Sequence, residues 1–371
     1  MIYLDNAATT KPSLLAVNAA NAAYDTFGNP SSLHRLGLEA EKILKEARSA
    51  AAEKLSVDEK TIYFTSGGTE SNNTAILGYA LKNQKRGRHI ITTKIEHPSV
   101  LEPFKYLETQ GFSVTYLGVS EDGVISLSEF ENALREDTIL VSVMAVNNET
   151  GVIQPVDKLK AIMHKKCPDA ALHSDCVQAF AKIPLFPKKW GIDMLSASGH
   201  KIHALKGTGL LYIADSIHIN PLLLGGGQEK GIRSGTENTA GIAAFSAAIK
   251  EAKPLKIDKR TELMEKIIEK IPNVTVNGKS ENSGYILNVS FSGIKAEVLL
   301  HSLEARGIFV STGSACSSNK PHPSHVLTAM GVSRANIEGA IRFSFSEEDF
   351  DCDYVVSVLF EEVGKIRKYV R

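Results

Sequence analysis

Short runs rich in β-branched residues alternate with longer stretches of helical period through the first two thirds of the chain. The strand-like runs cover residues 61–65, 89–93, 113–117, 138–144, 171–174, 193–196 and 210–213. Between several of them lie helix-length stretches at 39–55 (rich in Ala, Glu and Lys), 71–82 and 156–166. Alternating signals of this kind predict an α/β domain built on a largely parallel sheet covered on both faces. In such sheets a ligand site forms at the carboxyl ends of the strands.

The pattern shifts around the charged stretch 250–260, which contains Pro254. Beyond it the order becomes helix (261–270), strand (285–291), helix (297–306, closed by Gly307), strand (340–345) and a terminal helix. Val355, Leu359, Val363 and Ile366 fall on one face of that last helix, as expected for packing onto a sheet. A smaller α+β domain follows from this. The expected division is a large domain over 15–250 and a small one formed by 1–14 and 251–371.

Composition narrows the functional classes. Of 371 residues, 43% are hydrophobic and 23% charged, an ordinary soluble balance. Lys+Arg and Asp+Glu both number 42, so no net field favours nucleic acid or an anionic membrane. The N-terminal residues have no signal-peptide layout and no apolar run is long enough to span a membrane, so a cytoplasmic location is expected. The four cysteines, Cys167, Cys176, Cys316 and Cys352, have no paired spacing, which points to reduced thiols rather than a disulfide framework.

Three segments carry candidate chemistry. In Ser196-Ala197-Ser198-Gly199-His200-Lys201 a lysine follows a hydroxyl, a glycine and an imidazole just beyond a strand. It reads either as a solvated charge or as a Schiff-base lysine, and the second needs neighbours that hold a phosphorylated aldehyde. Phe64 to Glu70 (FTSGGTE) supplies glycines, hydroxyls and a following helix N-terminus, a phosphate cradle or else a plain capped turn. The chain lacks G-x-x-x-x-G-K-[ST] and a G-x-G-x-x-G in a strand-to-helix setting, which disfavours ATP and dinucleotides. Asp175, at a strand end about two dozen residues before Lys201, reads as a helix cap or as the partner of a protonated pyridine nitrogen.

Together these segments resemble the cysteine desulfurases, pyridoxal-phosphate enzymes of the class V aminotransferase superfamily. The resemblance runs through Tyr3 to Thr10, Gly28 to Ser32, Phe64 to Glu70, Glu96-His97, Val146 to Gly151, the Asp175 segment, Ser198 to Lys201 and Arg233 to Thr236. It continues in Ser314 to Ser318 and Ile341 to Ser344. Each motif alone is weak; their order along the whole chain is specific. The resemblance implies the fold type I architecture of pyridoxal-phosphate transferases, with a mainly parallel seven-stranded sheet plus a smaller α+β domain.

It further implies that Lys201 carries pyridoxal 5'-phosphate, Asp175 meets the pyridine nitrogen and Gln178 the ring hydroxyl. His97 would stack on the ring and handle protons, while Gly68, Thr69, Ser198 and His200 would hold the phosphate. The threonine matching Thr236 reaches that phosphate from the other subunit, which implies a homodimer. Asn148 and Arg342 would bind the substrate carboxylate, a task suited to the planar guanidinium fork. No metal is expected.

Cys316 lies in a run of small and polar residues from Ser311 to Pro321 with no apolar periodicity, a composition typical of a loop. An accessible thiol there suits a sulfur-accepting nucleophile. Serine–alanine–cysteine followed by a long loop resembles the NifS/IscS-like branch. The implied reaction converts L-cysteine to L-alanine with a persulfide on Cys316, its sulfur then passing to an iron–sulfur scaffold or a tRNA-thiolation enzyme. Rival readings are a selenocysteine lyase, a cysteine sulfinate desulfinase or an aminotransferase of the same superfamily, and, from another class, a sulfur carrier or a metal-binding module using Cys316, His322 and His325. Leu205, Cys176 and Ala181 depart from the usual Pro, Ala and Gly of the family. The chain also ends at Arg371, where longer members carry an extension implicated in docking an iron–sulfur scaffold.

Overall fold

The computed structural model describes residues 1–253, 258–312 and 323–369. Its strands in chain order are β1 (Ile2–Tyr3), β2 (Ile62–Thr65), β3 (His89–Thr93), β4 (Ser113–Leu117), β5 (Thr138–Ser142), β6 (Ala171–Asp175), β7 (Met194–Ser198) and β8 (Gly209–Ile213). There follow β9 (Val274–Asn277), β10 (Ile286–Phe291), β11 (Ile308–Phe309), β12 (Ser311–Thr312) and β13 (Ala340–Ser344). Strands β2 to β8 form one sheet in the order β2-β8-β7-β6-β5-β3-β4. Pairing is parallel from β4 across to β7, and β8 runs antiparallel to both β7 and β2. The expected seven-stranded, mainly parallel sheet is therefore present, with β8 its one reversed strand.

The central strands β3, β5, β6, β7 and β8 are buried along their whole length. That requires cover on both faces, which helices such as Gly68–Asn83 and Thr239–Glu251 contribute. The edge-to-face contact of Phe180 with Phe245, centroids 6.2 Å apart, ties the turn after β6 to the second of these helices. Such a pair is worth about 0.5–1.5 kcal/mol beyond its buried area.

Strands β12-β13-β10-β9 make a second, antiparallel sheet. The helix Cys352–Tyr369 packs its Val355, Leu359, Val363 and Ile366 inward, as the spacing predicts. Near the start of the chain, β1 pairs with β11 and Asn6 Nδ2 donates to the Ser344 carbonyl (3.0 Å). Residues 1–10 thus run between the second sheet and the carboxyl ends of the first.

The three departures have visible settings. Ala181 has φ +61°, a left-handed conformation that costs an L-residue about 1–2 kcal/mol and that glycine adopts freely. Leu205 packs against the main core, and its carbonyl accepts from Thr208 Oγ1 (2.8 Å). Cys176 is buried, its thiol donating to Ser174 Oγ, and burial drives its pKa far up, which fits a structural thiol. Cys352 is likewise buried, its pKa pushed up to about 11, and Cys167 is buried with its pKa raised. Neither is poised as a nucleophile.

Candidate active site

The carboxyl ends of β2, β3, β5, β6 and β7 converge on a cavity of about 270 Å³. Its walls include Gly68, Thr69, His97, Asn148, Asp175 and Gln178, together with Ser198, His200, Lys201 and Arg342. Ten residues singled out from the sequence therefore meet in one place. Thr236 does not line this cavity; it is exposed in the loop after Arg233. Cys316 lies outside the described residues, and so does His322.

Asp175 ends β6 and is buried. Its Oδ2 accepts from Asn72 Nδ2 (2.7 Å) and its Oδ1 from the Val177 N–H (2.9 Å). Both donors are neutral, so they aim the carboxylate without cancelling its charge. Asn72 also donates to Ser99 Oγ (2.8 Å), and Ser99 in turn meets His97 Nδ1 (2.8 Å). One hydrogen-bonded run thus connects Asp175 to His97. Sequence reasoning assigned no role to Asn72 or Ser99. The available signal was position: Asn72 stands four residues after Gly68, on the same helix face.

His97 caps the helix Pro98–Thr109 through Nδ1, which accepts the Ser99 N–H (3.1 Å). Burial lowers its pKa, with the Asp175 charge opposing and the Lys201 charge reinforcing the shift. The neutral ring therefore carries its proton on Nε2. His200 is also held neutral, its pKa lowered to about 4 by burial and then by the charges of Lys201, Lys206 and Lys182. Its Nδ1 contacts Thr9 Oγ1 (3.1 Å).

The opposite wall comes from the start of the chain. Lys201 Nζ donates to the carbonyls of Ala7 (2.7 Å) and Ala8 (2.6 Å), and Gln178 Nε2 donates to Ala7 O as well (2.9 Å). Arg342 is buried, its guanidinium donating to Asp5 Oδ1 (2.8 Å) and the Asn148 carbonyl (3.0 Å). Asn147 sets the turn that presents Asn148, its Oδ1 accepting the N–H groups of Glu149 and Thr150.

The helix Gly68–Asn83 points its N-terminus into the cavity, with Gly67 at the cap. A Cβ on Gly68 would come within 2.6 Å of Val177 Cγ2, so a larger residue there would force the Val177 side chain to shift. Ser198 Oγ and Arg342 Nε are buried without a hydrogen-bond partner among the described residues. Unfilled donors at a helix N-terminus and on a buried guanidinium match a bound phosphate and a bound carboxylate.

The chain matches the aminotransferase class-V family over residues 2–349. It is 44% identical to cysteine desulfurase IscS of Methanosarcina thermophila, over 99% of this chain and 93% of that protein. Identity to a cysteine desulfurase of a Nostoc species is 43%, covering 99% and 94% of the two chains. The chain belongs to the class-V aminotransferase family, among its cysteine desulfurases. Solved structures agree. A NifS-like protein superposes with a TM-score of 0.87 at 38% identity, covering 100% of this chain and 99% of that one. A structure described as SspA in complex with cysteine superposes with a TM-score of 0.85 at 34% identity, covering 94% and 100%.

Gly209 is a position in this desulfurase that the motifs do not mark. It opens β8 opposite Thr65 and Ser198. A Cβ there would lie 2.6 Å from Gly67 Cα and 2.5 Å from Thr65 Oγ1. Backbone cannot yield as a flexible side chain does, so Gly209→Ala should push the cradle out of place. We expect cofactor retention, followed by absorbance during dialysis, to fall at least about tenfold, the equivalent of roughly 1.4 kcal/mol; wild-type retention would show that the cradle tolerates the methyl group.

Both described flanks of the Cys316 segment end beside the cavity. Ser311 pairs with Arg342 across β12 and β13. On the far side, Ser324 Oγ donates to Glu149 Oε2 (2.5 Å) and His325 Nε2 donates to the Glu96 carbonyl (2.9 Å).

Proposed function

We propose that this cysteine desulfurase works with pyridoxal 5'-phosphate held in the 270 Å³ cavity, with Lys201 as its covalent anchor and Cys316 as the sulfur acceptor. The observation that carries the reading is the convergence of Lys201, Asp175 and an unpartnered Ser198 hydroxyl around one helix N-terminus. When bound, the cofactor supplies an aldehyde for an amino group and a ring that withdraws electrons from the substrate Cα.

Gly68, Thr69, Ser198 and His200 would hold the phosphate, and Asp175 would face the pyridine nitrogen. Gln178 would meet the ring hydroxyl, and His97, neutral with its proton on Nε2, would cover the ring. Arg342 and Asn148 would hold the carboxylate of L-cysteine. The Lys201 amine, once released, takes the Cα proton. Cys316, as thiolate, forms a bond to the substrate sulfur while the substrate Cβ–S bond breaks, and protonation completes L-alanine. The balance is L-cysteine plus an enzyme thiol giving L-alanine plus an enzyme persulfide, with no external oxidant. SspA with cysteine, at 34% identity, supports cysteine as substrate.

The two-domain division, with residues 1–14 joining 251–371, is supported by the pairing of β1 with β11. A homodimer would bring Thr236 of one copy to the cofactor phosphate of the other. Within one chain, Arg233 Nε donates to Glu70 Oε1 on the cradle helix (2.9 Å), which holds the start of that loop beside the cradle. No helix among the described residues is long and apolar enough to cross a membrane, in keeping with a cytoplasmic enzyme that passes sulfur to a protein acceptor for iron–sulfur assembly or tRNA thiolation. The test is release of alanine and sulfide from L-cysteine with a thiol reductant. Equimolar products that require added or bound pyridoxal 5'-phosphate support the reading; cofactor-bound protein inert towards L-cysteine would refute it.

A further inference from the structure

Four residues after Gln178, Lys182 adjoins the same carbonyl network as Lys201. Its Nζ donates to Gln178 Oε1 (3.3 Å). Gln178 Nε2 donates to Ala7 O, which also accepts from Lys201 Nζ. A continuous polar run therefore connects the two amines. Lys182 Nζ also stands 4.6 Å from the centroid of the Tyr285 ring, and the Tyr285 hydroxyl donates to the Gln178 carbonyl. Gln178 is thus fixed at its main chain and at both ends of its amide.

The residue before Lys182 is the left-handed Ala181. That left-handed turn sets the direction from which Lys182 enters the network. Lys182 and Lys201 both border a second cavity of about 520 Å³. The other titratable groups lining it are Lys11, His203, Glu251, Lys253, Glu347 and Glu348, and the neutral His200 lies within reach of the Lys182 charge. Burial, and then the charge of Lys201, hold the Lys182 ammonium down at about 7. With Lys201 tied to the cofactor that repulsion falls, which favours the ammonium form of Lys182.

We propose that Lys182 is a positioning residue for the lysine–cofactor linkage: it orients the Gln178 amide towards the ring hydroxyl, and its cation disfavours a proton on the linkage at Lys201. The inference rests on the cofactor reading of the smaller cavity. A like charge nearby favours the deprotonated form of a basic nitrogen. The nearest neutral alternative, a lysine that merely packs its stem, predicts no effect on that nitrogen.

The test uses substrate-free holoenzyme and follows the pH titration of the bound-cofactor absorbance. Lys182→Met should raise the midpoint of the colour change by about one pH unit. Lys182→Gln keeps a donor for Gln178 without the charge and should shift it likewise, so an unstable Met variant does not leave the question open. Lys182→Arg should return the midpoint to the wild-type value. An unmoved midpoint in Lys182→Gln overturns the proposal. Purified wild-type protein that takes up no pyridoxal 5'-phosphate would instead overturn the cofactor reading itself, so the two failures are separable.

Discussion

Lys201→Ala should give a folded protein that binds no coloured cofactor after dialysis and does not turn over L-cysteine. On the proposed function two losses coincide in that variant: the covalent anchor and the base that takes the Cα proton. General-base catalysis alone contributes about 10²–10⁴-fold, and loss of covalent catalysis adds to it, so activity should fall by at least about 10⁴. The fold should survive. Lys201 is only partly buried, and water entering the cavity can replace its hydrogen bonds to the Ala7 and Ala8 carbonyls. Circular dichroism like that of the wild type, with activity gone, separates chemistry from stability. Turnover within tenfold of wild type would mean that another amine holds the cofactor.

Cys316→Ala should separate the two halves of the reaction. On the proposed function, cofactor and substrate are held by residues at the ends of β2, β3, β5, β6 and β7 and by β13, so the variant should keep its colour and its spectral response to L-cysteine. Alanine release should fall by at least about 10³, because the substrate sulfur has lost its nucleophile. None of the described cysteines can replace it, since Cys167, Cys176 and Cys352 are all buried with raised pKa values. Stopped-flow absorbance on adding L-cysteine, paired with quantification of alanine, checks both halves. Persulfide still forming on the variant would transfer the role to another thiol.

The sheet was legible because its strands are short β-branched runs bounded by turn residues: 89–93 and 113–117 were placed to the residue. Other bounds moved by one or two positions where a polar residue such as Asp175 or Ser198 closes a buried strand. The helix Pro98–Thr109 gave no usable signal, since Pro98 sits at its first turn and Pro103 inside it. The helix Leu14–Tyr24 was hidden by its many alanines, which bury against helix Thr239–Glu251 without a strong apolar stripe. Strands β9 and β12 are too short or too exposed to register from a single sequence.

In the site, residues with distinctive chemistry were found and those that orient them were not. Lys201, Asp175 and Arg342 lie in motifs of unusual composition. Asn72, Ser99 and Asp5 act through contacts between segments 27 to 337 residues apart. Only the folded chain reveals such pairs. Ala181 is instructive in the same way: its departure from glycine was visible, whereas the left-handed φ that gives it meaning is a property of the turn.

The central claim is that a cofactor aldehyde is bound to the amine of Lys201 within this cavity. Borohydride treatment of the purified holoenzyme fixes that attachment, and peptide mass mapping then locates it. A phosphopyridoxyl group on the peptide containing Lys201 is the predicted result. Label on Lys182 in its place, or on no lysine of a protein that desulfurates cysteine, would contradict the account.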